Sequence, residues 1–240
     1  MLDEYYLMTR RPLDGEIEFW VSGIDETKRV LEIGAGQGFL SRHLLNAGPS
    51  SLTLAEPLIN CQKYLEPLKT DAGPVQTQIY YQKFEDLGFE SEFDLVIFAY
   101  DSLPMVPKDN LSDFFRQVHL ALKPGGRFVF HISTPEWNQK YISRFQRVYH
   151  ANKELPSGRK VKIFSWAEEI SEDYYLKHFV FVDEENLQPE YCCMPAQILY
   201  HGYIERLCQD AGLKLVQCQK SFDGQDGPDD LIYTICKLRG

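Results

Sequence analysis

Short apolar runs and amphipathic stretches alternate along the first half of the chain in the order strand, turn, helix. The run Val30–Ile33 leads into three glycines on alternate positions, Gly34, Gly36 and Gly38, and then into a helical face of Phe39, Leu40, Leu44 and Leu45. Leu52, Leu54 and Ala55 mark a second strand that ends at Glu56. Phe93–Ala99 is continuous enough to be a buried strand, flanked by Asp94 and Tyr100. Leu122-Lys-Pro-Gly-Gly126 stops a helix and turns the chain into a β-rich run that reaches His131. Further helices are expected after Pro57 and Asn110. The pattern predicts an alternating α/β core over residues 28–133.

The flanks read differently. Leu13, Ile17, Trp20 and Val21 recur at helical spacing and predict a helical cap within residues 1–27, at about 3–22. Residues 134–200 form an insertion. It opens with an expected helix at 138–150, carrying Ile142, Phe145, Val148 and Tyr149. Strands follow at Lys160–Trp166 and Tyr174–Val182, then a polar loop at Asp183–Glu190. A helix at 201–211 ends at Gly212, a C-cap glycine. Strands at 213–219 and 231–238, joined through a Gly/Asp-rich connection, close a single domain of 240 residues.

The glycine spacing narrows the chemistry. Glycine lets a backbone approach a ligand closely at positive φ, and a strand-to-helix turn is a nucleotide-binding position. A dinucleotide fingerprint needs G-x-G-x-x-G, but Phe39 stands where the third glycine would be. A P-loop needs Gly-Lys-Ser/Thr, and Gly38 is followed by Phe39. What remains is E-x-G-x-G-x-G, beginning at Glu32.

That motif resembles the first motif of the class I S-adenosylmethionine-dependent methyltransferases. Glu56 stands about twenty residues beyond the turn, where the family has a ribose-binding Glu or Asp. Tyr81–Leu87 is similar to the family's adenine segment, and Phe93-Asp-Leu-Val to its fourth strand. Lys83 occupies a position where the family often has Asp, so backbone groups at Phe84 and Glu85 are alternative adenine contacts. Leu-Lys-Pro-Gly-Gly resembles the motif before the fifth strand. The resemblance covers roughly residues 28–133. It implies a Rossmann-like, seven-stranded, mostly parallel sheet with an inserted α+β lid after the fifth strand. It also implies S-adenosyl-L-methionine as cofactor, held by Arg11, Glu32, Gly34, Ala35, Gly36, Gly38, Glu56, Pro57, Phe84, Glu85, Ala99 and Tyr100. Arg10 competes with Arg11 for the cofactor carboxylate, a group suited to bidentate contact.

Composition restricts the acceptor. A net charge of −10 argues against a nucleic-acid substrate. So does the sequence Ala-Tyr-Asp-Ser at 99–102 in place of Asn/Asp-Pro-Pro-Tyr. The six cysteines lack paired C-x-x-C spacing and imply no metal site. No basic n-region or long apolar span is visible, so a cytoplasmic location without membrane insertion is expected. The insertion is rich in aromatic residues, which suits a closed pocket for a small molecule, although a peptide acceptor and the oligomeric state stay open. The expected reaction is methyl transfer to a small molecule, with an amine nucleophile ahead of a natural-product hydroxyl or carboxyl, or a peptide amine. The alternative without catalysis is a cofactor-binding regulatory subunit.

His131, at the end of the fifth strand, is the first candidate for base or substrate orienter. Tyr5 and Tyr6 are placed by the resemblance beside the reactive methyl. Trp137, Tyr200 and His201 are candidate substrate contacts. His43, His119 and His150 are expected on helices, with no role in the site.

Overall fold

The computed structural model describes residues 1–9, 12–71, 73–223 and 229–239, without the side chains of Asp3, Leu7 and Tyr149. The chain separates into two compact units. One is Pro12–Ile132 with His201–Gly240, and the other is Met1–Arg11 with Ser133–Tyr200.

The larger unit holds a seven-stranded sheet. Its strands are β1 (Arg29–Ile33), β2 (Ser51–Ala55), β3 (Gln76–Tyr80), β4 (Phe93–Phe98), β5 (Leu122–Ser133), β10 (Leu213–Gln219) and β11 (Asp230–Lys237). Their spatial order is β10-β11-β5-β4-β1-β2-β3. The pairs β1–β2, β1–β4, β2–β3 and β4–β5 are parallel, and β10–β11 is antiparallel. This is the mostly parallel, Rossmann-like sheet expected from the sequence. Sequence order reverses direction at β1/β4, the switch point where α/β sheets open a ligand crevice.

Crossover helices cover the sheet: α3 (Phe39–Asn46), α4 (Gln62–Asp71) and α5 (Leu111–Ala121), with α7 (His201–Asp210) before β10. Leu40, Leu44 and Leu45 of α3 are buried, as their spacing predicts, against Val30, Leu52 and Leu54. Each fully buried leucine of this kind contributes about 1.5–3 kcal/mol.

The smaller unit is a four-stranded antiparallel sheet, β6 (Tyr149–Glu154), β7 (Lys160–Ser171), β8 (Tyr174–Asp183) and β9 (Pro189–Gln197). Helices α1 (Leu2–Thr9) and α6 (Pro135–Phe145) pack on one face. Leu2 and Tyr5 lie against Phe179 and Phe181, and Tyr141 and Phe145 against Tyr175.

Four expectations change here. The N-terminal cap is not one run over 3–22 but two helices, α1 and α2 (Glu16–Val21). Gly15 at φ 72 begins α2, and the Glu16 carboxylate accepts the Leu13 N–H at 2.8 Å, turning the chain at Pro12–Gly15. The helix expected at 138–150 is α6, ten residues of which precede Phe145. Thr134 caps it by accepting the Trp137 N–H at 3.1 Å, and Pro135 suits its first turn. Residues 149–154 are instead drawn into strand β6 by pairing with β7, which also moves His150 from helix to strand. Finally, β9 replaces the end of the polar loop. Its Pro189 and Pro195 hide it from sequence patterns, but an edge strand tolerates proline.

Candidate cofactor and acceptor site

The glycine turn lies between β1 and α3, at the carboxyl edge of the sheet. Gly34, Gly36 and Gly38 have φ of 68°, 53° and 74°, the left-handed region that favours glycine. The Gly34 N–H donates to the Ala55 carbonyl at 2.7 Å, tying the turn to β2. A Cβ on Gly34 would stand 3.1 Å from Phe98, and one on Gly38 would stand 3.0 Å from Leu68. A Cβ on Gly36 would meet only the Gly34 carbonyl, at 4.0 Å. Two glycines therefore stand close against the protein's own side chains, while the third faces open space.

Glu56 answers the turn from the end of β2. Its Oε2 accepts the Gly36 N–H and its Oε1 accepts the Leu58 N–H, both at 2.8 Å. Glu56 is buried, and burial raises its carboxyl above the ordinary range, although the two N–H bonds work against that shift. Each oxygen keeps acceptor capacity beyond its one backbone donor.

Glu32 lies beneath the turn. Ser41 Oγ donates to its Oε2 at 2.5 Å, joining β1 to α3. Burial pushes the Glu32 carboxyl up to about 8, with the Glu56 charge adding to the shift. The folded protein therefore holds a proton that the unfolded chain loses near pH 4.5. Global stability is expected to fall as pH rises from about 4.5 to 8 and then to level off, with a maximum slope of about 1.4 kcal/mol per pH unit from this group. Denaturant titrations of wild type and Glu32→Gln across that range test this. An equal slope in both proteins would remove Glu32 as the cause.

On the other side of β1, strand β4 is followed by buried Ala99 and then by Tyr100 and Asp101, both left-handed at φ 63° and 54°. Such backbone at a non-glycine residue costs of order 1–3 kcal/mol and collects at functional sites. The Tyr100 N–H donates to His131 Nδ1 at 3.2 Å. His131 is buried, with its ring 6.0 Å from Trp20, 5.4 Å from Phe222 and 6.4 Å from Tyr100. The sequence reading missed Phe222 as a neighbour of His131, because only folding of the β10–β11 connection brings it there.

The remaining expected residues divide. Phe84 is buried with its ring edge-on to Phe114, so what its segment can offer a ligand is backbone. Glu85, with Lys83, Asp86, Asn110 and Asp113, lines a surface depression of about 340 Å³. Pro57 is exposed beside Glu56. Both ring nitrogens of His201 are engaged, Nδ1 by the Tyr233 hydroxyl at 3.0 Å and Nε2 by Glu205 at 3.4 Å. Arg10 and Arg11 lie outside the described residues.

In the smaller unit, Tyr5 packs its ring on Phe179 and Phe181. Tyr6 is more than a third exposed, and its hydroxyl donates to Met194 Sδ at 3.5 Å. Burial raises the Tyr6 phenol above its ordinary range, so it stays protonated at neutral pH. Trp137 stacks on Tyr141 at 5.2 Å, and Tyr200 is half-exposed. Among the described residues, no group of His, Cys, Asp or Glu side chains is arranged to hold a metal ion. No helix there is long and apolar enough to cross a membrane.

A mostly parallel sheet with a positive-φ glycine turn at its switch point, answered by a buried carboxylate from the next strand, has the layout of a Rossmann-like nucleotide-binding edge. Residues 30–126 match the family model described as a methyltransferase domain. Over 112 residues the chain is 34% identical to the malonyl-[acyl-carrier protein] O-methyltransferase of Magnetococcus marinus, a match covering 45% of this chain and 38% of that protein. The fold resembles an S-adenosylmethionine-dependent methyltransferase from Clostridium acetobutylicum, with a TM-score of 0.81 at 15% identity over 100% of this chain and 97% of the other. It also resembles a sugar N-methyltransferase from Streptoalloteichus, with a TM-score of 0.74 at 16% identity over 100% and 93%. Residues 30–126 thus resemble a methyltransferase domain, and the chain shares its fold with solved S-adenosylmethionine-dependent methyltransferases.

Proposed function

We propose that the protein transfers a methyl group from S-adenosyl-L-methionine to a small-molecule acceptor, with an amine as nucleophile. The observation that carries the cofactor half is the Glu56 carboxylate bridging the Gly36 and Leu58 N–H groups in front of an open glycine. The residues fit the group: Glu56 retains acceptor capacity for the two ribose hydroxyls, Gly36 leaves room for close approach, and backbone at Phe84 and Glu85 would serve the adenine. Glu32 acts through Ser41 to hold the turn rather than by direct contact. The cofactor supplies an electrophilic methyl on a sulfonium centre.

The amine preference rests on His131. Its Nδ1 accepts the Tyr100 N–H, so the proton of the neutral ring sits on Nε2. In that form Nε2–H donates and cannot take a proton, and Nδ1 is occupied. His131 is then an orienter rather than a base. A neutral amine brings its own lone pair and needs no base before attack, whereas an alcohol benefits from one. A small-molecule carboxylate is the second reading. It is already ionised, it suits an Nε2–H donor, and the partial relative from Magnetococcus is named for O-methylation. A cytoplasmic location accords with either reading.

A panel of amines, carboxylic acids, phenols and peptides, scored by S-adenosylhomocysteine release, tests the assignment. An amine product withstands mild base, while a methyl ester is hydrolysed. With the best acceptor, His131→Ala is expected to lower kcat by about tenfold with cofactor affinity unchanged, because an orienter is removed and no proton transfer is lost. A fall of the 10²–10⁴-fold size usual for general acid–base catalysis would instead restore the base role. Cofactor binding without turnover on any class would leave the regulatory-subunit alternative.

A further inference from the structure

We infer that Glu16 and Trp20 are positioning residues for His131: the Glu16 carboxylate locks the Trp20 indole, and the indole, with Phe222, fixes the plane of the imidazole. Their role rests on the reading of His131 as an orienter. Both residues belong to α2 and stand four apart, so they share one helix face. That face is turned inward, with Glu16 0% exposed and Trp20 2%. A glutamate is almost never buried so completely unless it is engaged.

The carboxylate is held on one side and holds on the other. Its Oε2 accepts the Leu13 N–H at 2.8 Å, which ties it to the turn before α2. Its Oε1 accepts the Trp20 Nε1–H at 3.4 Å. An indole N–H inside a core needs an acceptor, and the carboxylate supplies one from the same helix. Turning the indole over about its Cβ–Cγ bond would break that contact, so the ring keeps one orientation.

The oriented indole meets His131. Their ring centroids lie 6.0 Å apart, with planes tilted by 46°. Phe222 stands 5.6 Å from Trp20 and 5.4 Å from His131, edge-on to the imidazole at 79°. Phe19 packs edge-on to Trp20 at 5.3 Å and to Phe222 at 5.5 Å, completing the aromatic cluster. A hydrogen bond at one corner of the imidazole does not fix its plane. The Tyr100 N–H at 3.2 Å sets the place of Nδ1, and the ring can still swing about that point. Two rings packed against it at different angles remove that freedom. The direction of Nε2–H, the donor offered to the acceptor, is thereby set by neighbours that are themselves locked by packing and a hydrogen bond.

Nitrogen–proton NMR of the histidine rings in the isotope-labelled full chain tests this without an acceptor, the His131 signals being those lost in His131→Gln. Wild type is expected to show His131 as a single tautomer with the proton on Nε2. Trp20→Phe removes the indole N–H and shrinks the ring, and Glu16→Gln leaves one acceptor oxygen for two donors. In each, the His131 signals should move toward an average of both tautomers. Glu16→Gln keeps the side-chain volume and carries the test should Trp20→Phe fail to fold, which melting temperature reports. Turnover gives the second reading. With the best acceptor, Trp20→Phe should lower kcat by about three- to tenfold with cofactor Kd unchanged, because orientation is lost and proton transfer is not. In a His131→Ala background the same substitution should add nothing, since the ring it acts through is gone. An unchanged His131 tautomer in both folded variants, or a kcat loss undiminished in the His131→Ala background, would overturn the positioning role. Full turnover by His131→Ala would overturn the orienter reading itself, while the tautomer signal would still report whether Glu16 and Trp20 hold the ring.

Discussion

Gly36→Val is expected to abolish S-adenosylmethionine binding in a protein that remains folded. The physical reason is the contrast among three glycines four residues apart from end to end. At Gly34 and Gly38 an added Cβ would crowd Phe98 and Leu68 at 3.1 and 3.0 Å, so substitution there also presses on the protein's own packing. At Gly36 nothing of the protein is in the way. The valine would instead fill the space in front of the turn and would have to hold φ near 53°. That backbone costs a β-branched residue of order 1–3 kcal/mol, equivalent in a chain of this size to about 2–4 °C in Tm per kcal/mol. Calorimetric titration and a thermal melt on the same sample separate the two effects. Normal binding by a folded Gly36→Val protein would show that this turn is not the cofactor loop.

The second large effect is expected at Glu56. Removing its carboxylate takes the acceptors from the ribose hydroxyls and also frees the Gly36 and Leu58 N–H groups that it now holds at 2.8 Å. Loss of a charged hydrogen-bonding partner costs about 1.5–3 kcal/mol, and every 1.4 kcal/mol is tenfold in Kd. Glu56→Ala should therefore weaken cofactor binding by about 10- to 150-fold. The wild-type pH profile gives an independent reading. Burial raises the Glu56 carboxyl, so it is still protonated somewhat above pH 4.5, and a protonated oxygen is a poorer acceptor for the ribose. Affinity should rise with pH as Glu56 ionises, and Glu56→Gln should flatten that rise. An unchanged Kd in folded Glu56→Ala would refute the ribose role.

Local signals carried the core of this protein. The alternation of short apolar runs and helical faces, the glycine turn, Glu56 at its offset and the Lys-Pro-Gly-Gly terminator each depend on residues close in sequence, and each is found where expected. The helix bearing Leu40, Leu44 and Leu45 is legible because its buried face has a period that only a helix satisfies. The insertion was harder to read. Tyr149–Glu154 has no strong period of its own and becomes a strand because β7 offers it a hydrogen-bonding edge. Pro189–Gln197 carries two prolines and is a strand only because it lies at the sheet's margin.

The site divides along the same line. By itself the sequence determined that a glycine turn and a carboxylate would stand at neighbouring strand ends, since backbone conformation and residue spacing are local quantities. Only the tertiary structure decided what surrounds His131. Its protonation pattern depends on the Tyr100 N–H 31 residues away, and its surroundings on Trp20 and Phe222 from opposite ends of the chain. It likewise separated the surroundings of Tyr5 and Tyr6, which are adjacent in sequence: Tyr5 packs on Phe179 and Phe181, while the Tyr6 hydroxyl donates to Met194 Sδ. A titratable group's chemistry is set by the donors, charges and solvent around it, and those are assembled from distant segments only when the chain folds.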